Sequence, residues 1–155
     1  MDASQLLKEF CSAVEHRDGK AFANLFTEHG VYHDVFYGAF KGRAKIAEMI
    51  DDWFYRTARD FRWEMFRPVS DGRTLYAYYT FSYVSTLPEA EGKRVGFEGV
   101  AIMSLKDGRI AEYREVANVG PGFVDMGFAP ERLAKILAKE GAQLKKQPQW
   151  QRHLA

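Results

Sequence analysis

Hydrophobic residues recur at three- and four-residue spacing through roughly the first third of the chain, which is the period of amphipathic helices. Leu6, Phe10 and Val14 lie on one such stripe. Asp18 is placed to cap a second, short helix that ends at Gly30. The pattern therefore predicts three helices, over residues 4–16, 18–30 and 43–59.

From Phe61 onward the hydrophobic period changes to two, as in strands with one buried face. Phe61, Trp63 and Met65 alternate with charged residues, and Asp-Gly pairs at residues 71–72 and 107–108 predict two hairpin turns. The predicted strands of this region are residues 61–69, 74–87, 94–105 and 110–119.

Two further elements complete the predicted fold. A short apolar strand begins at Val31, and a C-terminal helix is predicted over residues 129–146, opened by Pro130. Gly96 and Gly99 are predicted bulges or bends in their strand. The order of elements gives an α+β fold, with helices gathered on one face of a curved antiparallel sheet.

Composition limits the function classes. A net charge of +1 over 155 residues gives no basis for binding nucleic acid or an anionic membrane. No apolar run approaches the ~20 residues that span a bilayer, and the N-terminus lacks the pattern of an export signal. The single cysteine, Cys11, cannot form an internal disulfide, which agrees with a cytoplasmic location.

Asp34 is the residue from which a chemical hypothesis starts, because it ends a short apolar strand. A carboxylate in apolar surroundings has a raised pKa and suits proton transfer, whereas the alternative role is to cap the adjacent turn. His33 faces the opposite side of a regular strand and joins Asp34 as a catalytic partner only if the strand bends. His29 and His33 lack further ligands at metal spacing, so no metal or other cofactor is predicted.

The order of elements and several short motifs resemble the nuclear transport factor 2-like superfamily, within it the SnoaL-like and ketosteroid isomerase-like bacterial branch. The motifs are Arg17-Asp18-Gly19, Leu25-Phe26, Tyr32-His33-Asp34, Phe40-Lys41-Gly42-Arg43, Asp107-Gly108-Arg109-Ile110 and Glu112-Tyr113-Arg114-Glu115. The resemblance implies a cone, a curved mixed sheet whose concave face is closed by helices around a pocket. It implies a cone domain at residues 1–128, with the C-terminal helix and tail at residues 129–155 packed on it. The apolar residues ahead of that helix, Phe123, Met126 and Phe128, are the expected lid.

The resemblance also implies that Asp34 points into the pocket as the base. Ketosteroid isomerases need two oxyanion donors as well, and the corresponding positions here are Phe10 and Ala101, which carry none. The Asp-Arg-Asp set of limonene-type epoxide hydrolases cannot be assembled either. Steroid isomerisation by the usual arrangement is therefore not expected, and the fold does not choose among the other reactions of the superfamily.

Glu115 is a candidate second carboxylate. Tyr113 and Glu115 share one face of the last strand, and Arg114 lies on the other. The resemblance turns the Tyr113 face inward, so that Glu115 would pair with Asp34 as acid with base. A register one residue different would put Arg114 inside and leave Glu115 in a surface ion pair.

Aromatic residues occupy both faces of the predicted strand at residues 74–87. One face is expected to line the pocket and the other to pack on a second copy of the chain, although simple core packing fits the same period. The family geometry puts Tyr76 and Tyr78 inside. The expected homodimer face is then Leu75, Tyr79, Phe81 and Tyr83. The residues expected to contact a ligand are Phe10, Met49, Trp53, Trp63, Tyr76, Tyr78, Ala101 and Tyr113.

Two functions remain open at this point. The first is a cofactor-independent enzyme (isomerase, dehydratase, cyclase or hydrolase) that acts on an apolar cyclic substrate, with Asp34 as base and Glu115 or a tyrosine as acid. The second is a non-catalytic domain of the same fold that binds a hydrophobic ligand or serves in dimeric assembly. The absence of donors at Phe10 and Ala101 favours the second.

Overall fold

The computed structural model describes residues 2–155, whose elements follow the predicted α+β order. The α-helices are α1 (Ala3–Glu15), α2 (Gly19–Asn24), α3 (Arg43–Glu48), α4 (Gly120–Asp125), α5 (Pro130–Lys145) and α6 (Gln151–Leu154). The strands are β1 (Phe26–Asp34), β2 (Gly38–Lys41), β3 (Ala58–Ser70), β4 (Thr74–Ser85), β5 (Arg94–Lys106) and β6 (Arg109–Asn118). The helical segment after α3 continues as a π-helical turn, Met49–Trp53, and a 3-10 turn, Phe54–Arg56.

The six strands form one mixed sheet in the order β2-β1-β6-β5-β4-β3. β1 and β6 run parallel, and all other neighbours are antiparallel. Because β1 and β6 are adjacent, Asp34 at the end of β1 lies near residues of β6 that face the same side. The topology thus places the two segments that carry the candidate acids, residues 31–34 and 112–115, on neighbouring strands.

The N-terminal part differs from prediction in two places. The second helix ends at Asn24, and β1 already begins at Phe26, because the Leu25 carbonyl accepts a hydrogen bond from the Ile110 amide of β6 at 2.9 Å. The residues from Phe26 to Gly30, which the helical spacing had assigned to the second helix, therefore belong to β1. The short strand β2 was not predicted; its four residues are too few for a periodic signal.

Gly96 and Gly99 are not bulges, contrary to expectation. β5 pairs with β4 without a register shift from Arg94 to Ser104. Gly99 instead gives room to its neighbours: a Cβ atom there would lie 2.6 Å from both the Tyr79 hydroxyl and the Val116 carbonyl oxygen. The glycine is therefore required for close packing between β4 and β6.

The two faces of β4 are the reverse of the expected ones. Leu75 and Tyr79 are fully buried on the face covered by helices, whereas Tyr76 and Tyr78 are 47% and 36% exposed on the outer face. The reason is the register with β3, which sets Trp63 opposite Phe81 on the inner face. The predicted pocket role of Tyr76 and Tyr78 is wrong. The set Leu75, Tyr79, Phe81 and Tyr83 belongs to the interior and cannot form an outer dimer face.

A second hydrophobic cluster lies at the C-terminal end of the sheet. Phe123 and Met126, in and just after α4, pack with Val95 of β5. The amphipathic helix α5 has no fully buried residue, and its Leu133 and Ile136 lie partly buried against this cluster. Within residues 2–155, no helix has the length and apolar character needed to cross a membrane.

The close approach at Gly99 makes a stability prediction. We expect Gly99→Ala to lower the free energy of unfolding by about 2 kcal/mol, because the new methyl group overlaps a backbone carbonyl that cannot move freely. Gly96→Ala on the same strand is the matched control, since its Cβ atom would meet ordinary contacts of 3.6 Å. Urea unfolding of both variants measures the difference, and equal stabilities would contradict the packing argument.

Candidate functional site

A pocket opens between the turn after β1, the 3-10 turn before β3 and the inner face of the sheet. It contains about 510 Å³ of space free of protein atoms, including its open mouth. Nine of its fourteen lining residues are aromatic, and two, Asp34 and Glu115, are carboxylic acids. The site therefore combines apolar walls with two ionisable groups.

Asp34 both lines the pocket and caps the following turn. Its Oδ1 atom accepts hydrogen bonds from the backbone N–H groups of Phe36 (2.8 Å) and Tyr37 (2.9 Å). Both bonds end on Oδ1, which leaves Oδ2 as the oxygen available to a ligand. Burial raises the pKa of Asp34 to about 6, although the two amide hydrogen bonds act in the opposite direction.

Glu115 lies on the inner face of β6, in the register that makes Tyr113 fully buried and Arg114 exposed. The alternative register with Arg114 inside is thereby excluded. The Glu115 Oε2 atom accepts hydrogen bonds from the hydroxyl groups of Tyr79 (2.5 Å) and Tyr113 (3.2 Å). Burial raises the pKa of Glu115 to about 7; the Tyr79 hydrogen bond opposes this rise and the nearby charge of Asp34 adds to it.

The two carboxylic acids have different affinities for protons. Asp34 loses its proton first, and its negative charge then helps Glu115 to keep its own. Near neutral pH the pair can therefore hold one ionised and one protonated member. One carboxylate that accepts a proton beside one acid that donates a proton is a general acid–base pair.

His33 lies on the other face of β1, because β1 pairs with β2 without a register shift from Val31 to Asp34. Its Nε2 atom is 2.9 Å from Glu112 Oε1, and Arg114 binds the same carboxylate at 2.8 Å. His33 is therefore outside the pocket and does not join Asp34. Among residues 2–155, no group of three or more histidine, cysteine, aspartate or glutamate side chains is arranged to hold a metal ion.

The expected ligand contacts other than Tyr76 and Tyr78, which lie on the outer face of β4, divide into three groups. Trp63 lines the pocket. Phe10, Met49, Ala101 and Tyr113 are fully buried in the core beneath it.

Trp53 lies beside the pocket, and its ring meets that of Tyr37 edge-on at 5.4 Å. Its indole N–H donates to Glu48 Oε1 at 3.4 Å.

Sequence reasoning missed several pocket residues. Phe61 shares the alternating pattern of Trp63, and Phe36 follows Asp34 closely, so both carried a usable signal. Two more aromatic wall residues, Tyr32 and Tyr37, flank Asp34 in sequence. The other four come from elements distant in sequence, and only the fold brings them together. They are Phe54, Phe81, Tyr83 and Phe97.

One of the expected lid residues, Phe123, packs against the pocket wall. The ring of Phe36 meets those of Phe97 and Phe123 edge-on, each at 5.9 Å. Phe123 in turn stacks on Phe128 at 5.8 Å. Phe123 of α4 thus lies behind Phe36, and the lid role of this segment stays a prediction.

The raised pKa of Asp34 predicts a pH-dependent stability. Between about pH 4 and pH 6 the folded protein holds a proton on Asp34 that the unfolded chain has lost. The ionised form of Asp34 therefore destabilises the fold. This destabilisation increases as the pH rises through the range and is complete above it. We expect Asp34→Asn to raise the free energy of unfolding by about 2 kcal/mol at pH 8 and to lose this gain toward pH 4. Urea unfolding at both pH values measures the change. Asp52→Asn, at an exposed carboxylate, is the control, and a gain independent of pH would contradict the argument.

Comparison with known proteins places this geometry in context. The SnoaL-like domain family matches residues 7–113, more than half of the chain. No curated protein matches the sequence significantly.

Solved structures are similar over most of the chain. A protein of ketosteroid isomerase-like fold from Catenulispora acidiphila, in complex with trimethylamine, has a TM-score of 0.72 and 11% identity, and the match covers 84% of this chain and 98% of that one. A candidate polyketide cyclase from Xanthomonas campestris has a TM-score of 0.65 and 20% identity, covering 80% and 96%. An LEH-like epoxide hydrolase from Mycobacterium tuberculosis has a TM-score of 0.64 and 19% identity, covering 86% and 92%. At these identities the similarity shows a shared fold.

Proposed function

This chain belongs to the SnoaL-like domain family, and on that premise we propose that it is a cofactor-independent acid–base enzyme acting on an apolar, cyclic small molecule. The observation that carries the proposal is that two carboxylic acids, Asp34 and Glu115, line one aromatic pocket. Burial in that pocket raises the pKa of both acids toward neutral pH. Ordinary surface carboxylates titrate well below neutral pH and cannot divide the two roles in this way.

Each residue has a distinct part in the proposed reaction. Asp34 takes a proton from carbon through Oδ2, while the amides of Phe36 and Tyr37 hold its other oxygen in place. Glu115, fixed by Tyr79 and Tyr113, delivers a proton to the oxygen or carbon that gains the electron pair. Isomerisation, dehydration and ring closure each need one proton removed and one delivered.

The names of structural neighbours agree with this class of chemistry, since they include an epoxide hydrolase and a candidate polyketide cyclase. The usual arrangement of a ketosteroid isomerase is not part of the proposal. Phe10 and Ala101 offer no hydrogen-bond donor, and the hydroxyl groups of Tyr79 and Tyr113 are already committed to Glu115. The reaction proposed here relies on the two carboxylic acids alone for its proton transfers.

Proton exchange at carbon tests the base directly. Wild-type protein should exchange the α-hydrogens of ring ketones such as 1-tetralone, 2-tetralone and 1-indanone for deuterium in D2O, as followed by NMR. Asp34→Asn should slow the enzyme-dependent exchange by about 10²–10⁴-fold, the usual contribution of a positioned base. Glu112→Gln, on the outer face of β6, is the matched control for a lost carboxylate and should leave the rate unchanged. Full activity of Asp34→Asn would refute the assignment.

The pKa values also predict the pH profile of exchange. The rate should rise as Asp34 ionises near pH 6 and fall as Glu115 loses its proton near pH 7, which gives a narrow bell. In Glu115→Gln the falling limb should disappear, because the amide has no proton to lose in this range. A profile that is flat from pH 5 to pH 8 in the wild-type protein would argue against the pair.

A second candidate function is ligand binding without turnover. The two backbone hydrogen bonds to Asp34 favour it, because a turn cap is a structural role that needs no chemistry. In that case ring ketones bind with equal affinity to the wild-type protein and to Asp34→Asn, and neither protein exchanges their α-hydrogens. Isothermal titration beside the exchange assay separates the two functions.

We also propose a homodimer through the outer face of the sheet, with a different set of residues from the one first expected. Tyr78, Val100 and Val116 form a row of exposed apolar side chains across β4, β5 and β6, and Val116 is 69% exposed. Contiguous apolar surface of this kind is typical of an interface. Sedimentation velocity should show a dimer that Val116→Lys weakens at least tenfold. Val124→Lys, at an equally exposed valine of α4, should leave it intact, and a monomeric wild-type protein would refute the proposal.

A further inference from the structure

The pocket contains two acids and no base. Among the described residues, none of the fourteen that line it is a lysine, an arginine or a histidine. Within the same part of the chain, neither Asp34 nor Glu115 takes part in a salt bridge. A carboxylate withdrawn from water is costly unless a positive charge or hydrogen-bond donors compensate it. Hydrogen bonds compensate part of the negative charge in this pocket, and no cationic side chain of residues 2–155 compensates the rest.

Each acid is held through one of its oxygens and leaves the other free. The backbone amides after Asp34 donate to its Oδ1 atom, and two tyrosine hydroxyl groups donate to Oε2 of Glu115. Asp34 Oδ2 and Glu115 Oε1 have no hydrogen bond within residues 2–155, and both atoms are accessible to solvent. Both acids thus present an open oxygen in the pocket that they line, where a positive group of a ligand can pair with it.

The walls of the pocket suit the same kind of ligand. Nine of the fourteen lining residues are aromatic, and the negative face of an aromatic ring attracts a cation within about 6 Å of its centre. Apart from the two acids, the other lining residues are Val35, Thr57 and Ala58, which add apolar surface and one hydroxyl group. Aromatic rings that surround two acids without a base favour an alkylated ammonium group, because its alkyl substituents pack on the rings while its charge pairs with the acids.

We propose that the ligand of this pocket is an apolar ring compound that carries one alkylated ammonium group, attracted by the free oxygens of Asp34 and Glu115. The inference rests on the proposed function for the site and adds the charge of the substrate to it. One positive charge matches the one negative charge that the pair holds when Asp34 is ionised and Glu115 is protonated. Glu115 then keeps the proton that the proposed reaction requires.

Between pH 5 and pH 8 the charge of the pocket changes only through its two acids. The other titratable groups packed against them or lining the pocket are phenols, which ordinarily titrate near pH 10. They belong to Tyr32, Tyr37, Tyr79, Tyr83 and Tyr113.

Two charged residues of the neighbouring elements lie outside the lining. Arg56 of the 3-10 turn stacks over the Trp53 ring at 4.7 Å, and Glu15 of α1 accepts a hydrogen bond from the Trp63 amide at 2.8 Å. The affinity for a cation should therefore follow the ionisation of Asp34 and Glu115. It should rise with pH, because only the ionised acids attract the cation.

A pair of probes of equal shape tests the charge. Phenyltrimethylammonium carries a permanent positive charge, whereas tert-butylbenzene has carbon in place of nitrogen and is neutral. The affinity of wild-type protein for phenyltrimethylammonium should rise about tenfold from pH 5 to pH 8, because Asp34 passes from mostly protonated to ionised. The affinity for tert-butylbenzene should not rise. NMR titration measures both, since the methyl signal of each probe moves upfield among aromatic rings.

Variants of the two acids show where the charge is bound. At pH 8, Asp34→Asn should weaken the binding of phenyltrimethylammonium about tenfold and leave that of tert-butylbenzene unchanged, because the amide keeps the shape and loses the charge. In the double variant Asp34→Asn/Glu115→Gln the pH dependence should vanish. Glu112→Gln removes a carboxylate from the outer face of β6 and should leave both affinities as they are in the wild-type protein.

The outcomes separate this inference from the function on which it rests. If phenyltrimethylammonium does not bind at pH 8, or binds equally well at pH 5, the inference is overturned. Exchange of ring ketones that depends on Asp34 would then still support an enzyme for neutral rings. Conversely, pH-dependent binding of the cation that requires Asp34, without any exchange in the wild-type protein, supports the inference and refutes catalysis.

Discussion

The hydrogen bond from the Tyr79 hydroxyl to Glu115 is the interaction on which the site depends. A carboxylic acid on the inner face of an aromatic sheet is costly unless polar partners accompany it, and Tyr79 at 2.5 Å and Tyr113 at 3.2 Å supply them. The arrangement requires space beside the Tyr79 hydroxyl, which exists because residue 99 is glycine. Three neighbouring strands thus build this part of the site: β4 carries Tyr79, β5 carries Gly99 and β6 carries Glu115.

The surroundings of the two acids account for their different roles. Burial and the nearby negative charge of Asp34 favour the protonated form of Glu115, and the hydrogen bonds from Tyr79 and Tyr113 oppose them. Asp34 is held by backbone amides, which favour its ionised form and oppose the effect of burial. The surroundings therefore separate the two pKa values in the sense that acid–base chemistry needs, and the fold gives up stability at neutral pH in exchange.

How far the sequence could predict this site depends on the kind of signal. Asp34 ends a short apolar strand and Glu115 shares the period of Tyr113, but it was the family resemblance that turned both acids toward the pocket. Alternation alone left open a register with Arg114 inside. Alternation failed for β4, where Tyr76 and Tyr79 give both faces an aromatic pattern and only pairing with β3 decides which faces inward. Contacts such as that of Phe36 with Phe123 join residues distant in sequence, and no local pattern contains them.

The hydrogen bonds of the two tyrosines also limit what the pocket can recognise. Because Tyr79 and Tyr113 are engaged in holding the acid, their hydroxyl groups are not free to bind a substrate oxygen. Nine of the fourteen residues that line the pocket are aromatic, so its walls favour an apolar ring over a polar ligand. Under the proposed function, recognition of the ring and activation of its C–H bond would thus come from different elements, the aromatic walls and Asp34 on β1.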